Sequence, residues 1–315
     1  MFYQNMLIAA KQVIMLYIIA SVGFISDKTG IFPEKTAKKC TDILFYVITP
    51  AKILESFLNL PYSDSALKGL FICIGLGLLM HSVAAFGANF LFKKSSWDDK
   101  TVLQYACIYG NCGYMGLPLV EAVLGSEGVF YCSAIIISFQ IFTFTHGVWL
   151  INKGKDAAKT KRSISSLIKS LILNPGVLPV FIGLPLFIFK INLPEVISSP
   201  VSSIAALNSP LAMLIFGTYL ANTNFKAFYK QWKIGLVGIF KLILLPAVMF
   251  AIVKLTGLTG AVASTLIMAA ATPPANNTVM FAAKYERNTS LASQTVAILS
   301  LVSIITLPVI IALSI

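Results

Sequence analysis

Charge is what this sequence most conspicuously lacks. Charged side chains make up 11% of its residues, against about a quarter in a soluble domain. Histidine occurs only at His81 and His146. The five cysteines, Cys40, Cys73, Cys107, Cys112 and Cys132, contain no C-x-x-C pair, so neither a zinc site nor a disulfide framework is expected, and the thiols read as buried apolar groups. There is also no Walker sequence, no H-E-x-x-H pair, no pair of catalytic aspartates in an apolar segment and no serine and histidine at a nucleophile motif. Those absences argue against a nucleotide-driven pump and against an intramembrane enzyme, and no cofactor or metal is expected.

Apolar residues fill the gap. They form 57% of the chain, and the mean hydropathy is +0.84, so its length is better counted in membrane crossings of about 20 residues than in soluble domains. Ten windows qualify: Met6–Ile25, Thr41–Leu60, Gly69–Phe92, Thr101–Leu124, Val129–Ile151, Ser170–Phe189, Pro200–Ala221, Ile234–Val253, Leu258–Ala283 and Ser290–Ile315. They are apolar on every face, which predicts helices; the strands of a barrel would alternate apolar and polar residues. The start, Met1 to Asn5, has no basic n-region before the first window, so no cleaved signal peptide is expected.

A net charge of +12 would point to nucleic acid in a soluble protein, but here the bases alternate along the chain. The odd connections hold Lys28, Lys35, Lys38 and Lys39, then Lys93, Lys94 and Lys100, then Lys153, Lys155, Lys159, Lys161, Arg162 and Lys169, then Lys226, Lys230 and Lys233, and finally Lys284 and Arg287. The even connections hold only Lys68, Lys190 and Lys254. The positive-inside rule then makes the odd connections cytoplasmic and puts both termini of a ten-span chain outside a cell membrane. The partner of this basic charge is the bilayer, not nucleic acid.

The longest basic connection separates a first five-span repeat, 1–151, from a second, 170–315, with the connector at 152–169. Because five is odd, homologous halves must lie in opposite orientations, the inverted repeat of many secondary transporters. Two correspondences support this. The second window holds Thr49-Pro50 and the seventh Ser209-Pro210. The fourth and ninth windows are both interrupted, by Gly110-Asn111-Cys112-Gly113-Tyr114-Met115-Gly116-Leu117-Pro118 and by Thr272-Pro273-Pro274-Ala275-Asn276-Asn277-Thr278. Glycine and proline there predict breaks into half-helices, and paired breaks in corresponding spans point to a transport site.

Asn111-x-Gly113-x-x-Gly116-x-Pro118, Pro210-Leu211-Ala212-Met213 with Gly217, Asn174-Pro175, and Pro273-x-Ala275 followed by Ala283-x-Tyr285 together resemble the auxin efflux carrier family, which includes plant PIN auxin carriers and bacterial malate or malonate permeases. The resemblance implies ten helices in a 5+5 inverted repeat, the fourth and ninth broken and crossing near the midplane. Helices one, two, six and seven would form a scaffold, the rest a transport domain moving against it, within a homodimer. Asn111 and Pro118 match the fourth-helix crossover and Pro273 the ninth; Asn276 and Asn277 match less closely. The connector between halves is short, unlike the extended loop of long plant PINs, which points away from auxin and toward a microbial carrier.

The expected activity is secondary transport of a small organic anion by alternating access. Half-helix N-termini would hold a carboxylate, with Asn111, Asn276 and Asn277 donating further hydrogen bonds and Gly113, Gly116, Pro118, Pro273 and Pro274 shaping the crossover. Each asparagine could instead only pack helices. Lys241, inside the eighth window, would either balance substrate charge or snorkel to the surface. Lys52 and Glu55 lie three apart and read as a pair. Glu121, three residues beyond Pro118, would carry a proton or cap a half-helix. The rival is a cation or proton antiporter built on Glu121, which is poorly supplied with carboxylates at the breaks.

Overall fold

The computed structural model describes residues 2–154, 169, 171–222 and 232–314. The core of the basic connector, 155–168, and Lys226 and Lys230 lie outside the described residues. Among the described residues the chain is all helical, with one isolated β-bridge between Gly110 and Pro274. We number the helices α1 Phe2–Lys28, α2 34–59, α3 Asp64–Asn89, α4 Trp97–Ile108, α5 Cys112–Asn152, α6 Leu178–Ile188, α7 Glu195–Ala221, α8 Trp232–Thr256, α9 Gly260–Ala271, α10 Asn277–Lys284 and α11 Thr289–Ser314.

Among the described residues six stretches are long and apolar enough to cross a membrane: Ala10–Lys28 of α1, and α3, α5, α7, α8 and α11. Together they make the chain a multi-pass membrane protein. The other windows are shorter or more polar as helices, for local reasons. α2 opens on the charged run Glu34–Ile43. The window that starts at Ser170 is interrupted by an Asx turn, in which Asn174 Oδ1 accepts from Gly176 N at 2.8 Å, so α6 begins only at Leu178. The fourth window is divided between α4 and the start of α5. The fourth and fifth windows then run into each other through α5, broken only at Gly125, whose φ of 64° and ψ of −152° suit glycine.

Polar residues punctuate the helix ends. Ser63 and Ser96 accept from Ala66 N and Asp99 N at the N-termini of α3 and α4, and acidic Asp64, Asp98 and Asp99 occupy the first turns. Gly257, at φ 68°, closes α8 in the left-handed region. α1 packs on α7 and α11, α2 on α6 and α7, and α3 and α9 on α5. At the α1–α7 crossing a Cβ on Gly217 would overlap the Ala20 carbonyl, and one on Gly23 the Leu214 carbonyl. The two backbones thus touch directly, a small-residue contact that membrane helices use because lipid gives them no hydrophobic drive to associate.

Groups of the third, fifth, seventh and ninth connections meet at one end of the bundle. Arg287 donates to Ile151 O at 2.8 Å, to Lys153 O at 2.6 Å and to Asp98 Oδ1 at 2.7 Å. Lys233 pairs with Asp99, and Asn288 donates to the same carboxylate. Trp97 and Trp149 lie near this end, half exposed, each carrying a lysine over its ring, Lys100 at 4.8 Å and Lys153 at 3.8 Å. Burial and the neighbouring Lys100 charge lower the Lys153 ammonium below its usual range.

Candidate functional site

α4 is buried on all sides from Thr101 to Ile108, so it runs through the protein and not along lipid. Its helix stops at Tyr109, whose backbone is extended at φ −97° and ψ 102°, and resumes at Cys112. α9 stops at Thr272, also extended, and α10 starts at Asn277. The two interruptions lie against each other. Asn111 N donates to Pro273 O at 2.7 Å, Ala275 N donates to Tyr109 O at 2.9 Å, and Gly110 pairs antiparallel with Pro274. Each break therefore supplies the backbone partners that the other lost, which is what permits irregular backbone deep inside an apolar bundle. Pro273 and Pro274 fit because this ladder draws on the carbonyl of Pro273 and on the N–H of Ala275, and on neither proline nitrogen. Gly110 fits because a Cβ there would fall 2.5 Å from Thr272 Oγ1 and 2.7 Å from Lys241 Nζ.

A cavity of about 40 Å³ opens beside this ladder, where one water needs roughly 10 to 15 Å³ by the same measure. Asn111, Cys112, Gly113 and Tyr114 line it at the start of α5, and Asn276 and Asn277 at the start of α10. Two helix N-termini, the electropositive ends with free amides, thus open on one small space. Asn111 Oδ1 caps α5 by accepting from Tyr114 N at 3.2 Å, which leaves its amide NH₂ without a partner among the described residues. The side chains of Asn276 and Asn277 are half-buried and likewise make no hydrogen bond to a described residue. A Cβ on Gly113 would meet nothing within 4 Å, so that glycine keeps the cavity open. Gly116 packs on the Thr272 side chain, and Pro118 is buried in the first turn of the regular part of α5. Neither lines the cavity.

Lys241 and Glu121 lie elsewhere. Lys241 is fully buried and reaches no surface; its Nζ donates to Ala270 O at 3.1 Å, under the ladder and outside the cavity lining. Glu121 joins three helices: it pairs with Lys52 of α2 and accepts from Ser209 Oγ of α7 at 2.6 Å. Lys52 also holds Glu55 at 2.9 Å. Nearby, Asn208 Nδ2 donates to Thr49 Oγ1 at 3.1 Å, so the Thr49-Pro50 and Ser209-Pro210 stretches are neighbours.

Sequence reasoning missed several lining residues: Phe45, Thr49, Ile136, Phe139, Gln140 and Gly176. Gln140 left a signal, since an amide inside an apolar window is costly unless it serves a cavity or a partner. π-helical turns gave none, yet those at Leu44–Ile48, Cys112–Gly116 and Phe240–Leu244 carry Phe45, the α5 amides and Lys241 to the crossover.

Known proteins with related sequences are membrane transporters by name. Residues 8–311 match the family described as membrane transport protein. The chain is 25% identical over 305 residues to "Uncharacterized transporter MJ1031" of Methanocaldococcus jannaschii, covering 93% of this chain and 94% of that one. It is 22% identical over 301 residues to "Uncharacterized transporter YfdV" of Escherichia coli, covering 93% of each. It is also 22% identical over 289 residues to a Rhizobium meliloti protein named "Putative malonate transporter", covering 90% and 89%. With nearly its whole length matched, this chain belongs to the membrane transport protein family, the auxin efflux carrier family that its crossover motifs resemble.

Proposed function

We propose that this protein is a secondary carrier of a small organic anion, a compact carboxylate, which it moves across a cell membrane by alternating access. The observation that carries this reading is the cavity on which the N-termini of α5 and α10 both open, with unpartnered amides of Asn111, Asn276 and Asn277 at its wall. Such a site binds an anion through backbone dipoles and amide donors and needs no basic side chain. The malonate named for one relative is a compact carboxylate of this class.

The chain is organised as ten crossings in two inverted halves, 1–151 and 170–315, joined by the connector 152–169. In support, Thr49 and Asn208 touch across the halves and the two broken helices meet at their interruptions. α1, α2, α6 and α7 act as scaffold, and α3 to α5 with α8 to α11 as the moving part, within a homodimer. Both termini are extracellular or periplasmic, because the basic third, fifth, seventh and ninth connections share one end of the bundle and the positive-inside rule makes that end cytoplasmic. A reporter fused after residue 314 and active only in the cytoplasm is expected to be silent; activity would remove the topology and the inverted repeat with it.

The substrate class is tested on purified protein with a panel of malonate, malate, acetate and indole acetate, each with and without sodium and across pH. Saturable binding of one of the compact carboxylates is expected. Binding of the indole acid alone, or of none of the panel, would contradict the reading.

A further inference from the structure

The arrangement beneath the crossover differs from the one above it. Above, two helix N-termini face a cavity. Below, two helix C-termini converge: α9 ends at Ala271 and α4 at Ile108. The last carbonyls of a helix have no partners within it and carry partial negative charge, so two such ends brought together inside a membrane protein favour a cation between them. In transporters with broken helices this is where unwound carbonyls and half-helix C-termini coordinate a coupling Na⁺.

Here Lys241 fills that place. Its side chain is fully buried, its Nζ donates to Ala270 O at 3.1 Å, and the ammonium packs so closely on Gly110, two residues past the end of α4, that a Cβ there would fall 2.7 Å from Nζ. Among the described residues no carboxylate lies within 4 Å of it; the ionisable groups nearby are Cys107, Cys112 and His81. A buried ammonium without a carboxylate is costly unless backbone dipoles stabilise it. The π-helical turn Phe240–Leu244 carries it.

We infer that Lys241 is a resident cation, tethered through its side chain where the helix C-termini meet at the crossover, and that the crossover is therefore complete without Na⁺. The consequence for coupling, that substrate binding is independent of sodium, rests on the carrier reading above. The local role of the lysine does not, and it can be tested with no substrate at all.

The test is thermal unfolding of the purified full-length protein in NaCl, methylammonium chloride or choline chloride at equal ionic strength, for wild type, K241M and K241A. Methionine fills the space without charge, while alanine leaves room for a small cation. Wild type is expected to unfold at the same temperature in NaCl and in choline chloride. K241M is expected to unfold roughly 5 °C lower or more in all three salts. K241A is expected to be destabilised likewise and to recover saturably with Na⁺ or methylammonium, as binding to the native state demands. Saturable stabilisation of wild type by Na⁺ would overturn the inference. So would a K241M protein as stable as wild type, or a K241A protein indifferent to both cations. If neither variant yields folded protein, equilibrium binding of radioactive sodium to wild type decides: no saturable site is expected, and one saturable site would overturn the proposal.

Discussion

Asn111→Asp is expected to reduce affinity for the transported carboxylate by more than a hundredfold, whereas Asn111→Ala reduces it about ten- to a hundredfold. The two substitutions separate the two things that Asn111 does. Its Oδ1 caps α5 through Tyr114 N, and its NH₂ stands at the cavity. Aspartate is as good a cap as asparagine, so N111D keeps the helix start while replacing two donors by a negative charge. Alanine removes both, at a cost of about 1 kcal/mol in stability for the lost cap. Loss of a hydrogen bond to a charged ligand costs about 1.5 to 3 kcal/mol, and each 1.4 kcal/mol is tenfold. A like charge in a site of low dielectric adds to that. Isotherms on samples of equal helicity and monodispersity check the order, wild type tightest and N111D weakest. Equal affinities would mean that Asn111 only joins the two breaks, and tighter cation binding by N111D would favour the antiporter reading.

Glu121→Gln is expected to slow transport about five- to thirtyfold, because the Lys52–Glu121 pair ties α5, which the proposed mechanism moves, to α2 and, through Ser209, to α7. Under alternating access these contacts belong to one conformation, so weakening them by about 1 to 2 kcal/mol displaces that equilibrium by a corresponding factor. The effect is moderate because Lys52 keeps Glu55 and the glutamine can still accept from Ser209. A double-mutant cycle with Lys52→Met, read as initial uptake rate, should show the double variant less impaired than the two single effects combined. If Glu121 also carries a coupled proton, E121Q abolishes the response of uptake to an imposed pH gradient. A gradient response unchanged from wild type would leave Glu121 a tie between helices.

The parts of this architecture that could be read from the chain are those written in local chemistry. Glycine and proline in Gly110–Pro118 and Thr272–Thr278 announce interruptions whatever surrounds them, and the structure interrupts α4 at Tyr109 and α9 at Thr272. What no local pattern encodes is rotation and register. Lys52 was paired in sequence with Glu55, three residues along, and only the packing of α2 against α5 adds Glu121 to it. Lys241 could have pointed to substrate, surface or interior; the π-helical turn that holds it beneath Ala270 follows no residue pattern visible in Phe240–Leu244. Gln140 and Gly176 reach the cavity from helices and turns far away in sequence.

The central claim, an anion carrier whose site is the cavity at the paired breaks, is tested most directly by counterflow. Proteoliposomes loaded with unlabelled malonate are diluted into labelled malonate, with acetate and malate run in parallel. Wild type is expected to accumulate label transiently above equilibrium with at least one of these carboxylates, and N111D, reconstituted to the same density, is expected to show no overshoot with any. Overshoot of equal size in N111D, or none from wild type with all three, would contradict the account.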